Sequence, residues 1–249
     1  MRRLYLLLGA TLFLIFTSTA AQAVVKVEGR YWFPTLSAEI QSTEAALIGD
    51  RISLVDDVGL SDSENFPGGR ISLELGNHKV RYAYTPLSWD GQKNITRDID
   101  FGGTTYTVST PVTSSLETDY HRLGYEYDFI DFLGNRLGVI FEIKYFDTKA
   151  SLTSAGMSAQ ESLKFPLPAV GVTGQVGLPF LASVGGELTA FTLGSSGYIV
   201  DGEVGVNYNP LPLVTLSGGY RFLKIRIEDG DDFGEFELSG PFILVRGGF

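Results

Sequence analysis

Few residues of this chain could perform chemistry, and its two histidines, His78 and His121, come first. His121 follows Asp119 by two positions, and residues i and i+2 of a β-strand project from the same face. A carboxylate beside an imidazole could orient a general base. No serine stands in a recognisable nucleophile context, and Asp-x-His arises easily by chance. We therefore predict no catalytic residue, and we place His78 in a turn and His121 at a membrane boundary.

Three acidic runs raise the question of metal binding: Asp56-Asp57, Asp62-Ser63-Glu64 and Glu228-Asp229-Gly230-Asp231-Asp232. Carboxylate oxygens are ligands for hard cations, which could bridge to lipid phosphates. The spacing matches no defined calcium loop, so we interpret the runs as a solvated, repulsive rim. There is also no phosphate-binding glycine loop and no basic nucleic-acid patch. We expect no metal, no cofactor and no nucleic-acid partner.

The chain starts with a pattern typical of export. Arg2 and Arg3 precede an apolar stretch at residues 4–16, and the small-residue site Ala21-Gln22-Ala23 follows. We predict a signal peptide at residues 1–23; the alternative, an uncleaved anchor, needs a longer apolar run of about 20 residues. No later stretch is long and apolar enough for a transmembrane helix, so a membrane protein built from residues 24–249 must be β-structured. Because the chain has no cysteine, this single domain depends on burial and hydrogen bonding.

Period-two alternation of polar and apolar residues runs through residues 24–249. Asp201 and Glu203, for example, share one face of a segment whose other face carries Val204 and Val206. About ten such segments are predicted as strands, with eight or twelve as alternatives. Their cores are placed near 24–34, 68–76, 79–88, 116–129, 136–149, 165–178, 181–193, 198–209, 213–227 and 237–249.

The predicted connections alternate between short and long. Tight turns are expected near residues 76–78, 131–135, 177–179 and 209–212, and longer polar loops near 35–67, 89–115, 150–164 and 228–236, with a short exception at 194–197. Strand-like runs at residues 51–55 and 104–108 are expected to prolong the barrel as hairpins. Short turns opposite long loops are typical of an outer-membrane barrel.

The alternation separates charges from apolar side chains. In a soluble sandwich or barrel, the alternative fold, the apolar set would form the core. In lipid the apolar set faces outward and the charged set lines the lumen. The predicted lumen charge network comprises Lys26, Glu28, Arg30, Arg70, Glu74, Arg81, Arg122, Glu126, Asp128, Glu142, Lys144, Glu187, Asp201, Glu203, Arg221 and Arg246. The predicted membrane girdle comprises Phe33, Tyr84, Tyr145 and Phe222 at one level and Tyr127, Phe129, Tyr208 and Phe249 at the other.

The predicted lumen is close to neutral, with eight basic and eight acidic residues in that list. Such a balance favours a paired network that fills the bore, while a thin, weakly selective pore is the alternative. Most remaining carboxylates fall in loops, so we expect a strongly acidic external face. Lys224 and Arg226, on the outward phase, could contact lipopolysaccharide phosphates.

The chain ends with Phe242-Ile243-Leu244-Val245-Arg246-Gly247-Gly248-Phe249, a strand that stops on an aromatic residue. This terminal Phe249, together with the architecture and the export signal, resembles small Gram-negative outer-membrane β-barrels, the broad class of the OmpA transmembrane domain and OmpW-like proteins. The resemblance implies a closed antiparallel up-and-down transmembrane barrel in the bacterial outer membrane. It also implies outer-membrane lipid, lipopolysaccharide and the barrel-insertion machinery as partners, the last through the C-terminal strand ending at Phe249.

Three functions remain open at this stage. The first is a non-enzymatic barrel with a salt-bridge-filled lumen and a structural or surface-interaction role. The second is a narrow channel for small solutes or ions. The third rests on the resemblance, since some small barrels are lipid-modifying enzymes or proteases that use His near the external edge, and here it would use His121. The oligomeric state is left undetermined.

Overall fold

The computed structural model describes residues 23–41, 43–44, 47–48, 51–230 and 232–249. The predicted signal peptide, apart from Ala23, therefore lies outside the described residues. Within them, the only helical segment is a single 3₁₀ turn at Gly194–Ser196, and no helix is long and apolar enough to cross a membrane. The predicted all-β class is confirmed.

Ten strand positions form one closed antiparallel barrel, and a few short strands lie outside its wall. The strands are β1 (Val24–Trp32), β2 (Thr35–Gln41), β3 (Thr43–Glu44), β4 (Leu47–Ile48), β5 (Ile52–Ser53), β6 (Phe66–Leu75), β7 (His78–Asn94), β8 (Ile99–Phe101), β9 (Thr104–Tyr106), β10 (Pro111–Phe132), β11 (Asn135–Ser154), β12 (Met157–Leu178), β13 (Ala182–Thr192), β14 (Gly197–Leu211), β15 (Val214–Asp229) and β16 (Asp232–Gly248). The barrel closes because β16 pairs with both β1 and β2, which share the first wall position.

Phe33 and Pro34 separate β1 from β2 without opening the wall. The amide of Phe33 donates to the carbonyl of Pro241 at 2.9 Å, so the chain stays attached to β16 through the break. Gly240 lies against it, and a Cβ on Gly240 would come within 2.1 Å of the Phe33 carbonyl oxygen. Only glycine allows this close approach.

The register defines the shape of the barrel. Following paired residues around the wall leads from Val24 through Glu74, Lys79, Glu126, Ile140, Gly171, Thr189, Asp201, Leu223 and Leu238 to Leu36. The path returns to the first wall position twelve residues further along, at Leu36 instead of Val24. This shift is the shear of the barrel, and with ten strands it requires strands that tilt strongly from the axis.

The two ends of the barrel differ. At one, which we call the turn end, short turns at residues 76–77, 133–134, 179–181 and 212–213 connect the strands. Leu133 and Gly134 both have positive φ (50° and 80°), as a two-residue hairpin turn that follows the sheet twist requires. The opposite end, the loop end, carries the longest connections. The short turns were all predicted close to their observed positions.

Two connections at the loop end differ from the sequence prediction. Residues 150–164 were expected to form a long loop, but β11 and β12 continue to a turn at residues 155–156. Residues 228–236 likewise belong almost entirely to β15 and β16. The strands extend because inward residues such as Leu152 and Ala159 are buried inside the barrel, whereas the prediction gave a polar loop at these positions.

The predicted hairpins at 51–55 and 104–108 do not prolong the wall. β5 pairs with β2, and Ile52 is buried. β8 and β9 form a separate hairpin whose Ile99 and Tyr106 are buried, and the Tyr106 hydroxyl donates to the Leu152 carbonyl at 2.6 Å. Both segments therefore fold over the bore.

Candidate functional site: the barrel interior

The turn-end half of the bore holds a dense ionic network. At its centre, Arg81 contacts three carboxylates: Glu187 at 2.6 Å, Glu126 at 3.1 Å and Glu142 at 3.4 Å. Arg122, on the neighbouring strand, contacts Glu187 at 2.7 Å and Glu142 at 3.1 Å. Shared carboxylates link β7, β10, β11 and β13, so the charges act as one network in which buried ions are paired.

A second group surrounds Asp201. The Lys144 ammonium is fully buried and donates to Asp201 at 2.8 Å and to the Tyr120 hydroxyl at 3.0 Å, and it also contacts Glu142. Arg221 approaches Asp201 from β15 at 3.1 Å. Arg122 lies 3.7 Å from the same carboxylate, so three cations neutralise Asp201, and two of them, Lys144 and Arg221, donate hydrogen bonds to it.

A third group joins the first strand to the far wall. Arg30 donates to Glu28 at 2.8 Å and to Glu203 at 2.7 Å, and Arg246 donates to Glu28 at 2.8 Å. Lys26 contacts Glu74 at 2.7 Å nearer the turn end. These pairs connect β1 to β6, β14 and β16.

All the residues proposed from sequence for the lumen network face the interior, and each takes part in an ion pair. Sequence reasoning missed two more basic residues. Lys79 contacts Glu126 and Asp128, both at 2.6 Å, and Arg136 lines the lumen, where it donates to the Gln175 side chain at 2.7 Å. Both lie next to turns, but they share the phase of Arg81 and Gly138, and that phase could have identified them.

Two cavities open beneath the network. A cavity of about 340 Å³ at the turn-end mouth is lined by the cations Lys26, Arg136 and Arg246. A deeper cavity of about 110 Å³ shares these three and reaches Arg70 and Arg81. The interior is therefore open to solvent on the turn-end side, up to the ionic network.

The loop-end half of the bore is apolar, which the sequence prediction of a charged lumen did not include. Its buried side chains come from the wall and from the segments that fold inward: Trp32, Leu36, Ala38, Ile52, Val58, Leu60, Phe66, Leu87, Trp89, Ile95, Ile99, Tyr106, Val112, Leu116, Tyr120, Phe146, Leu152, Ala159, Ile199, Leu223, Ile225 and Leu238. Phe242 and Leu244 continue the same cluster toward the turn end, where they line the deeper cavity. We call this cluster the apolar plug. Trp89 is fully buried within it, against the rings of Phe66 and Phe236 at 4.8 and 5.7 Å.

The outward-facing residues change from apolar to polar at the same level along the barrel axis. In the turn-end half, outward residues such as Leu123, Phe141 and Val204 are apolar, and more than half of each is exposed. The proposed girdle residues Phe33, Phe222, Tyr127, Phe129, Tyr208 and Phe249 are exposed, and Tyr84 and Tyr145 are half-buried. Closer to the loop end, outward positions of the same strands hold polar residues such as Glu117 and Lys149. An apolar belt with an ionic interior is the polarity of a lipid-facing barrel.

His121 lies on the outer wall and not in the bore. It is paired in register with Tyr84 and Tyr145, and its Nδ1 is 2.8 Å from the Tyr82 hydroxyl. The Asp119 carboxylate accepts a hydrogen bond from Tyr84 at 2.5 Å, and none joins Asp119 to His121. His78, at the start of β7 next to a turn, has its Nδ1 2.6 Å from the Tyr125 hydroxyl. The two histidines are on opposite sides of the apolar belt.

The charged groups of the loop end are predominantly acidic. Among the described side chains there, fifteen carboxylates face seven basic groups. Lys224, which was considered for phosphate contacts, donates to Glu237 at 3.1 Å and contacts Glu235 at 2.8 Å, and hydrogen bonds to both raise its pKa. Arg226 is paired with Glu228 and Glu235. Within the described residues, no group of three or more acidic or histidine side chains could hold a metal ion.

Comparison with known proteins identifies the fold but no family. No family model matches the sequence, and no curated protein matches it. The outer membrane protease OmpT from Escherichia coli is similar in structure, with a TM-score of 0.60 over 93% of this chain and 98% of that chain at 10% identity. Ail of Yersinia pestis (TM-score 0.36, 10% identity, 89% and 98% of the two chains) and the neisserial surface protein NspA (0.35, 13%, 92% and 99%) also match. The likeness to OmpT shows that this chain has the fold of outer-membrane β-barrels.

Proposed function

We propose that this chain is a non-enzymatic β-barrel of the bacterial outer membrane with a closed bore, serving a structural or surface-interaction role through its loop end. Export through the predicted signal peptide would deliver it to that membrane. The apolar belt would contact lipid, and the aromatic girdle would lie at the two interfaces. The terminal strand ending at Phe249 would be read by the barrel-insertion machinery.

The observation that carries this proposal is the order of three layers along the bore. The cavity at the turn-end mouth, which we call the vestibule, is open to solvent and leads to the ionic network. The apolar plug lies directly beyond the network. An ion crossing the barrel would have to disrupt paired charges and then enter an apolar region, and both steps are costly. A constitutive channel, the alternative function, is therefore disfavoured.

Recording in planar lipid bilayers tests the proposal directly. The purified chain should insert, as judged by a gel mobility that shifts on heating, and should give no discrete conductance steps. Steady single-channel conductance from inserted protein would overturn the closed-barrel proposal and would instead indicate a narrow channel.

The surface role draws support from the chemistry of the loop end. The excess of carboxylates there favours cationic partners and disfavours direct contacts with lipopolysaccharide phosphates, since Glu235, Glu237 and Glu228 neutralise Lys224 and Arg226. Lipopolysaccharide would instead surround the barrel at the outer girdle. Charge reversal at Lys224 and Arg226 should leave lipopolysaccharide retention unchanged. A loss of retention would instead support direct contacts between these two residues and the phosphates.

An enzymatic role receives no support from the position of His121. Its ring is stacked against Tyr84 on the outer wall, and Asp119 is engaged elsewhere. We expect lipid A mass spectra and outer-membrane substrate cleavage to be the same with wild-type protein and with His121→Ala. An activity that the substitution abolishes would instead make the chain an enzyme.

A further inference from the structure

We infer that the turn-end half of the bore contains a binding site for a small oxyanion, such as a phosphate or a carboxylate-bearing solute. This goes beyond the proposed function, and it holds whether or not the bore conducts. It rests on the charge balance of the interior, on the hydrogen-bonding state of two arginines and on the shape of the vestibule.

The first observation is an excess of positive charge. The predicted network is balanced, but Lys79 and Arg136 also face the bore, which raises the interior to ten basic residues against eight acidic ones. The excess is greatest at the mouth, where Lys26, Arg136 and Arg246 line the cavity and no carboxylate does. Unbalanced charge in a narrow, low-dielectric lumen attracts counter-ions.

Arg136 supplies the free guanidinium. Among the described residues it has no carboxylate partner, and its side chain donates a hydrogen bond to the neutral Gln175 amide oxygen. Lys26 and Arg246 at the same mouth already contact Glu74 and Glu28. Since a guanidinium presents five N–H donors, Arg136 keeps donors available in the vestibule.

Arg70 supplies a second, deeper donor. Its side chain is about nine-tenths buried, and its Nη atoms contact Glu187 at 3.1 and 3.4 Å. Its Nε is buried without any hydrogen-bond partner in the described part of the chain. A buried, unpaired donor on a cation is costly, so the contacts with Glu187 leave the Arg70 guanidinium, which lines the deeper cavity, incompletely satisfied.

The size of the cavities and the lining of the mouth favour an oxyanion, whereas four carboxylates lie beside the cations of the deeper cavity. The cavity at the mouth has a volume of about 340 Å³ and the deeper cavity one of about 110 Å³. Both volumes are large enough for a small solute that enters from the turn end. Hydroxyl and amide groups of Ser183, Asn207, Asn209 and Thr215 line the mouth beside the cations. Guanidinium groups match the geometry of carboxylate and phosphate oxygens better than that of a spherical halide.

Calorimetric titration of the purified full barrel in detergent, with inorganic phosphate as the probe and sodium chloride at equal ionic strength as reference, tests the site. We expect one phosphate per barrel, and binding about ten-fold weaker in Arg136→Gln. Arg136→Lys keeps the charge but loses the paired N–H donors of the guanidinium, so its affinity for phosphate should fall between those of the wild type and Arg136→Gln. Arg226→Gln, which removes the same charge from the outer surface, should bind like the wild type.

A second variant tests the location without removing a member of the network, since Thr215 lies directly opposite Arg246 at the mouth. Thr215→Glu places a carboxylate at the mouth and should weaken phosphate binding as much as Arg136→Gln, while the heat-shifted gel mobility confirms a folded barrel. Equal heats for phosphate and chloride would overturn the proposal, because they indicate general screening. Phosphate binding that is unaffected by both substitutions would overturn it as well.

Discussion

Arg30 donates to both carboxylate oxygens of Glu203 across the bore, with Nη1–Oε2 at 2.7 Å and Nη2–Oε1 at 3.1 Å. The pair joins the first wall position to β14 and leaves both side chains almost fully buried. We predict that Glu203→Gln lowers the free energy of unfolding by about 3 kcal/mol, because the buried Arg30 guanidinium loses one of its two carboxylate partners and keeps only Glu28, which it shares with Arg246. Urea unfolding of the barrel in lipid vesicles measures this loss.

Two further variants control this prediction. Replacing both partners, as Arg30→Met with Glu203→Leu, should destabilise less than Glu203→Gln alone, because no charge is left uncompensated at this pair. Arg226→Gln, in an exposed outer pair with Glu228, should change stability little. If the double variant were the least stable of the three, the pair would not be the source of the effect.

The two tryptophans of the apolar plug should respond differently to the same substitution. The Trp32 Nε1 donates to the Gly240 carbonyl at 3.1 Å, whereas the Trp89 Nε1 is buried without a hydrogen-bond partner among the described residues. Trp32→Phe removes this hydrogen bond and should cost about 1 kcal/mol more than Trp89→Phe, which removes an unsatisfied donor. The same urea titrations rank the two variants, and Trp89→Ala, which opens a cavity, should cost about 3–5 kcal/mol. Equal costs for the two phenylalanine variants would contradict this assignment of the hydrogen bond.

Alternation alone predicts the strands and the side of the wall on which each side chain lies. In β10, Glu126 and Arg122 face inward while Leu123 and Tyr125 face outward, as the period of two requires. A closed barrel could be predicted because the charged face is the inner one and the apolar face the outer one, which is the opposite of a soluble protein. The positions of the short turns were also readable, because glycine, asparagine and proline punctuate them.

The apolar plug was missed because the alternation changes meaning within one strand. Further up β10, Leu116 faces inward and Glu117 outward, which is the polarity of a soluble barrel. The phase of the strand is continuous, so this inversion is present in the sequence and marks the upper edge of the apolar belt. The predicted strand core began at residue 116, at this edge, and the prediction assigned residues 89–115 before it to a polar loop.

The choice of ionic partners could not be derived from the sequence. Arg30 lies on β1, which pairs with β6, yet its shortest ion-pair contact is with Glu203, 173 positions away. Which arginine meets which carboxylate across the bore depends on the shear of the barrel, and shear follows from the register of every strand pair together. A sequence pattern indicates on which side of the barrel wall a side chain lies, but it does not give the position of that side chain along the barrel axis.

The inversion of polarity makes a prediction for two positions on one strand. Phe141 and Thr153 both project outward from β11, Phe141 in the apolar belt and Thr153 near the loop end. Phe141→Arg should destabilise the barrel in vesicles by about 2–4 kcal/mol, because a charge then faces lipid. Thr153→Arg should have little effect. Similar losses at both positions would mean that the belt does not contact lipid.

The segment that folds over the loop end should loosen in acid. Burial by itself raises the pKa of Asp57, but hydrogen bonds from Arg97 at 2.8 Å and from the Ser53 amide at 2.9 Å outweigh it and hold the pKa below its ordinary value of 3.8. A carboxyl with a depressed pKa stabilises the folded form above its ordinary pKa, and this contribution is lost as the pH falls through the lowered value. Carbonyl NMR of the barrel in micelles should therefore give Asp57 a midpoint below 3.8, with exchange protection of the Ser53 amide decreasing over the same range. Arg97→Gln should raise the midpoint, because burial then acts with less opposition; an unchanged midpoint would show that Arg97 does not hold this carboxylate.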